Sequence, residues 1–167
     1  MIFKAMLGSA FAENLFEIFG KDMLIECLLR VEDSVRVEVT ELIEQYLPRY
    51  FASTEGHIDR VLAALTETLK LTDDIEGSVI SAFNLINKIV KDPGFDGLSS
   101  KFRFQFEVFC PFNFHRVVLV RKTFNSLVTK FLSLPGFFST EDLLVLHTLT
   151  VQSLIMEEDA DLLKVLG

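Results

Sequence analysis

The chain has 167 residues, half of them hydrophobic, and its 24 acidic against 16 basic side chains leave a formal net charge of −8. That length makes one ordinary domain or a slice of an elongated one, with ample material for a core. The acidic balance, with no Lys/Arg run and no basic helix face, speaks against direct nucleic-acid binding and for a basic protein partner.

The first predicted helix covers residues 2–19, with Leu7, Phe11, Leu15 and Ile18 on one face and Gly20 as its C′ residue. Its apolar start is short, is broken by Gly8-Ser9 and is preceded only by Lys4, so it reads as core and not as a secretory leader. No stretch approaches the ~18 uninterrupted apolar residues of a membrane span, although mean hydropathy is +0.37. A short helix over 21–30 carries Met23, Leu24, Cys27 and Leu28. Val31-Glu32-Asp33-Ser34 then turns the chain, Asp33 or Ser34 caps a helix over 35–47, and Pro48 stops it.

After a loop over 53–56, helix 57–71 shows Ile58, Val61, Leu62, Leu65 and Leu69 at helical spacing. Thr72-Asp73-Asp74 closes it and puts negative charge at the positive end of the next helix, which runs to about Lys91. Residues 92–97, Asp-Pro-Gly-Phe-Asp-Gly, form a loop. Over 98–109, Phe102, Phe104, Phe106 and Phe109 alternate locally and permit a strand, but stacking of the neighbouring helices favours a helix ended by Pro111. A tight turn, Pro111-Phe112-Asn113-Phe114-His115, leads into a helix striped by Val120, Phe124, Leu127, Val128 and Phe131. Leu134-Pro135-Gly136 turns the chain again before a helix over 140–155, which ends at Glu157-Glu158-Asp159. Another helix is expected from Ala160.

Three stripes share the offsets 0, 4, 7, 8 and 11: Val35, Val39, Leu42, Ile43, Tyr46; Val79, Phe83, Ile86, Asn87, Val90; and the set from Val120. They lie 44 and 41 residues apart, the period of HEAT or armadillo helix pairs. The expected fold is therefore all-α: a HEAT/armadillo-like α-solenoid of about four helix pairs, one segment of a longer array over 1–167. A compact helical bundle is the alternative. Asp33-Ser34-Val35-Arg36 carries the Asp-x-Val-Arg opening of a second HEAT helix whole, while Val118-Leu119-Val120-Arg121 lacks the Asp.

Catalytic constellations are sparse. No phosphate-cradling Gly-rich loop, Gly-x-Ser-x-Gly elbow or His-Glu-x-x-His occurs. Cys27 and Cys110 read as buried reduced thiols, and His57, His115 and His147 are too scattered for a metal site. Cys110 and His115 sit five apart across a turn, but nothing orients the imidazole as a base. Asp73/Asp74 and Glu157/Glu158 are explained by capping. The segment is expected to be non-enzymatic, without cofactor or metal. In a stacked array the intra-pair turns share one edge, so Glu32, Asp33, Asp73, Asp74, Glu76, Phe112, Phe114, Glu157, Glu158 and Asp159 are the candidate partner-binding residues. Arg36 and Arg121 are expected to pair with carboxylates of adjacent repeats.

Pro111-Phe112-Asn113-Phe114-His115, followed at fixed distance by Val120-Arg121, resembles a repeat in the N-terminal HEAT region of the TATA-binding-protein-associated ATPases of the SWI/SNF type. The pattern there is Pro-Phe-x-x-His, then Val-Arg and an apolar helix. Residues 62–90, with Leu71-Thr72-Asp73-Asp74, resemble the preceding family repeat, and residues 154–162 the following one. The likeness covers about 62–162 and extends loosely to 33–47. Cys110 stands where the family has tryptophan, the chain has no Trp, and the polar residues usual between His115 and Val120 are missing. The resemblance implies a nuclear scaffold that grips TATA-box-binding protein through repeat turns and packs on adjacent HEAT repeats, with the ATPase outside these residues and no membrane contact. A generic HEAT adaptor, of the nuclear-transport or phosphatase-scaffold kind, and a self-contained helical enzyme are the alternatives.

Overall fold

The computed structural model describes residues 20, 22–30, 32–52, 56–71, 76–97 and 100–156. Every regular element among them is helical. In chain order they are α1 (22–30), α2 (Asp33–Gln45), α3 (Leu47–Phe51), α4 (His57–Leu71), α5 (Glu76–Lys91), α6 (Phe106–Phe109), a 3-10 turn (Cys110–Phe114), α7 (Val118–Leu132) and α8 (Thr140–Met156). The helix expected over 2–19 and the one from Ala160 lie outside the described residues. Gly20 has a left-handed φ of +70°, but the helix it is expected to close is one of those two.

The three striped helices form one layer, with α5 packed between α2 and α7. Their stripes are what they bury: Val39, Leu42, Ile43 and Tyr46 of the first, all five residues of the second, and Val120, Phe124, Leu127 and Phe131 of the third lie in the core. A 3.6-residue period puts those offsets on one side of a cylinder, and that side is removed from water by the neighbouring helices. A second layer holds α1, α4, α6 with its 3-10 turn, and α8. Asp22 ties α1 to α4, α4 packs on α6, and α8 rests on the turn. Helix pairs in two layers, stacked in sequence order, are the architecture of a HEAT/armadillo-like solenoid.

Four local expectations are corrected. The cap of α2 is Glu32, whose carbonyl accepts from the Val35 and Arg36 amides without a side-chain cap bond. Pro48 does not stop a helix; α2 ends at Gln45, and Pro48 sits in the first turn of α3. Pro111 likewise lies in the first turn of the 3-10 element, because a proline lacks only an N–H that an opening turn leaves unused. Residues 100–105 carry no regular secondary structure, and helix begins only at Phe106. There Phe102 and Phe104 are buried while Lys101 and Arg103 face water, an alternation a helix cannot make because residues two apart fall on opposite sides of it.

The two phenylalanines join an aromatic cluster at the third pair. Phe104 stacks on Phe109 at 4.6 Å, Phe102 on Phe131 at 5.6 Å, and Phe131 on Phe137 at 4.7 Å. The 92–97 loop closes over it at Gly97, where a Cβ would stand 3.1 Å from Leu134 Cδ1 and 3.2 Å from Phe137 Cδ2. A side chain there would require Leu134 or Phe137 to give way by a few tenths of an ångström.

Arg36 and Arg121 occupy the same place, one residue after the first stripe position. Arg36 Nε donates to the Leu28 carbonyl at 3.0 Å, and Arg121 Nη1 donates to the His115 carbonyl at 2.8 Å. Both hydrogen bonds lie within the arginine's own pair, where the end of the first element leaves carbonyls without helical partners. Each arginine thus clamps the two elements of its own pair together.

Candidate protein-binding surface

The turn before α7 divides its residues between inside and outside. Phe112 is half-buried, edge-on to Phe83 with ring centroids 5.1 Å apart. Asn113 is buried; its Nδ2 donates to the Leu149 carbonyl at 3.3 Å and to Ser153 Oγ, both on α8. Phe114 alone of the three faces water, at 41% exposure. One residue of the aromatic pair is thus a packing residue, and the asparagine between them, which carries no signal in the sequence pattern, holds the next helix.

Cys110 and His115 do not make a nucleophile and base. Burial, reinforced by Glu107, pushes the Cys110 thiol from 9.0 up to about 11, the reverse of an activated thiolate. His115 Nδ1 accepts from the Val117 amide at 3.1 Å, so that nitrogen orders the start of α7.

Of the acidic candidates, Glu32 and Glu76 are exposed. The side chain of Asp33, and all of Asp73, Asp74, Glu157, Glu158 and Asp159, lie outside what the structure describes. Acidic side chains do share a groove, but between helices rather than along the turns. A groove of about 570 Å³ runs between α2 and α5, lined by Val37, Glu41, Glu44, Glu76, Ile80 and Asn84 among others. The helices run parallel there, since a Cβ on Gly77 would meet Val37 Cγ2 at 3.9 Å and, further along, Lys88 pairs with Glu44. Glu76 is among the residues expected from the sequence; Glu41 and Glu44 are not. Their spacing of three puts both on one face of α2, a signal within the sequence, but only the packing of α2 on α5 places Glu76 in the same groove.

A second, polar recess of about 290 Å³ lies at the other layer, lined by Tyr50, His57, Asp59, Asp96 and Ser100 among others. Its polar groups serve the fold. His57 is buried, with Nε2 3.1 Å from Asp22 Oδ1, and Arg60 Nη1 stands 2.5 Å from the same oxygen. Asp59 accepts from Ser100 Oγ at 2.5 Å and from the Lys101 amide at 3.2 Å, which pins the irregular segment before α6 to the start of α4. Burial, with Asp22 adding to it, raises the Tyr50 hydroxyl pKa well above its ordinary value.

Among the described residues no three His, Cys, Asp or Glu side chains come together as metal ligands, and no helix is long and apolar enough to cross a membrane. No family model, curated protein or solved structure matches the chain.

Proposed function

We propose that this chain is a non-catalytic helical-repeat scaffold segment that binds the basic surface of a protein partner. The α2/α5 groove carries the reading. Its lining carries Glu41 and Glu76 with the apolar side chains of Val37 and Ile80, and Glu44 further along, so a segment bearing both Lys/Arg and an apolar anchor is matched in charge and in contact. Lys88, laid on Glu44 from within the molecule, shows how an ammonium group sits there. The net charge of −8 steers basic partners toward the chain at range.

The likeness of residues 111–121 to the HEAT region of the TATA-binding-protein-associated ATPases makes TATA-box-binding protein the specific partner of this proposal, in the nucleus, with adjacent HEAT repeats continuing the scaffold. The test is a pull-down of TATA-box-binding protein by the purified chain at low salt. Capture that weakens on adding salt, and on Glu41→Gln with Glu76→Gln, supports it; no capture at low salt ends it.

The second reading is a generic HEAT-type adaptor of the nuclear-transport or phosphatase-scaffold kind. It is favoured by the inward placement of Phe112 and Asn113, which leaves the motif behind the family likeness mostly engaged in packing. It predicts capture of other basic proteins with the same dependence on Glu41 and Glu76 and none of TATA-box-binding protein.

A further inference from the structure

The α2/α5 groove already meets one cation of its own chain. Lys88 extends from the last turn of α5, and its Nζ donates to Glu44 Oε1 on the last turn of α2. The two residues stand 44 apart in the chain, as Val35 and Val79 do, so the contact joins equivalent positions of neighbouring helix pairs. Because α2 and α5 run parallel, both last turns lie at the same end of the groove. A helical side chain leans toward the N-terminus of its own helix. That lean carries the Lys88 ammonium back toward the groove, where Glu44 is part of the lining.

Exposure decides what the pair can do. The Lys88 side chain is 56% exposed and that of Glu44 28%, so an incoming cation can reach the carboxylate while the displaced ammonium swings into water. An exposed ion pair is worth no more than about fivefold in an equilibrium constant. A contact of that size yields to a partner, yet it lowers the partner's affinity by whatever its breaking costs. Lys91 lies on the same last turn and is exposed as well. Removing either ammonium makes this end of α5 more acidic by one charge; only at Lys88 does it also release Glu44.

We propose that Lys88 is an internal competitor for the groove: its ammonium occupies Glu44 and is displaced when a basic segment of a partner engages Glu41, Glu44 and Glu76 together. The inference rests on the reading of the groove as the partner-binding site and adds what sets its affinity. A change of charge at residue 88 tunes the site without touching the side chains that receive the partner.

The test is a fluorescence-anisotropy titration of the full chain at low salt with a labelled synthetic peptide carrying Lys and Arg around one Leu. Lys88→Gln is expected to strengthen binding about three- to fivefold, and Lys91→Gln by less than about twofold. Melting should be nearly unchanged in both. On a Glu44→Gln background, Lys88→Gln should gain no more than Lys91→Gln does, because nothing is left to compete for. Equal gains from Lys88→Gln and Lys91→Gln overturn the proposal, as does a Lys88→Gln gain that persists in full without Glu44. In either case the peptide still binds and the groove reading stands. A peptide that binds none of these forms, or whose binding ignores Glu41→Gln with Glu76→Gln, overturns the groove reading and this proposal with it.

Discussion

Helices α5 and α8 are of nearly equal length and both rich in apolar residues, yet nine side chains of α5 are buried while, among the described side chains of α8, only Leu146 and Ser153 are. Composition does not separate them; neighbours do. α5 has α2 on one side, α7 on the other and α4 beneath, whereas α8 meets the turn at Cys110–Phe114. In a stacked array the energy of a helix is largely the sum of its interfaces with the helices beside it. The surfaces differ accordingly. α5 has committed its apolar stripe to the core and offers water an acidic groove shared with α2, while α8 offers water the stripe itself.

The largest break in this comparison comes from truncating matched positions. Phe83 is wholly buried among the rings of Phe109, Phe112 and Phe124, so Phe83→Ala should cost about 3–5 kcal/mol in urea unfolding. Leu144→Ala on α8 should stay within about 0.5 kcal/mol. Similar losses at the two sites would mean that α8 is packed on both sides.

The same contrast recurs within one turn. Phe112→Ala removes an edge-on partner of Phe83 and should cost about 2 kcal/mol or more, whereas Phe114→Ala should leave the melting temperature nearly unchanged. If Phe114 belongs to the binding surface, its truncation lowers partner affinity alone.

Much of this is legible in the sequence, for a definite reason. The stripes from Val35, Val79 and Val120 can be read because a buried helix face imposes its period on the chain, and the same pattern bounds helix 57–71 correctly. The alternation of Phe102 and Phe104 is legible too, and those residues are indeed not helical, but the strand it permits does not form: residues 100–105 carry no regular structure and a short helix begins at Phe106. Pro48 and Pro111 look like stops because proline ends and begins helices with equal ease, and only the hydrogen bonds of the following turn decide which. The groove is out of reach for another reason. Glu41 and Glu76 lie on different helices, and nothing local says that those helices are neighbours. The acids expected at 73–74 and 157–159 lie outside the described residues, so the single acidic edge predicted from the turns is represented there by Glu32 and Glu76.

A smaller effect sharpens the account of α5. Asn87 takes the stripe position held by Ile43 in α2 and Val128 in α7, and its Oδ1 is buried with no hydrogen-bond partner among the described residues. Replacing it with Leu should stabilise the chain by about 1 kcal/mol in thermal or urea unfolding, since the orphaned buried acceptor disappears and an apolar side chain packs in its place. Loss of stability instead would mean that the amide serves a ligand or a water.

The smallest effect is a dependence on alkaline pH. The unfolded chain gives up the Cys110 proton near 9.0, while the folded chain holds it to about 11. Over that interval the unfolded state binds fewer protons, so stability falls as pH rises. Tyr50, raised in the same sense by burial, steepens the decline further up. The melting temperature of Cys110→Ala should therefore fall less steeply than that of the parent over this alkaline range.

The central claim is that the α2/α5 groove recognises a basic protein surface, and calorimetric titration of the chain with TATA-box-binding protein tests it most directly. The account predicts binding that weakens steeply with added salt and drops at least about tenfold, ~1.4 kcal/mol, on Glu41→Lys with Glu76→Lys, with the fold intact by circular dichroism. Binding that ignores both salt and the charge reversal would contradict the groove, and an absence of heat at low salt would contradict the partner.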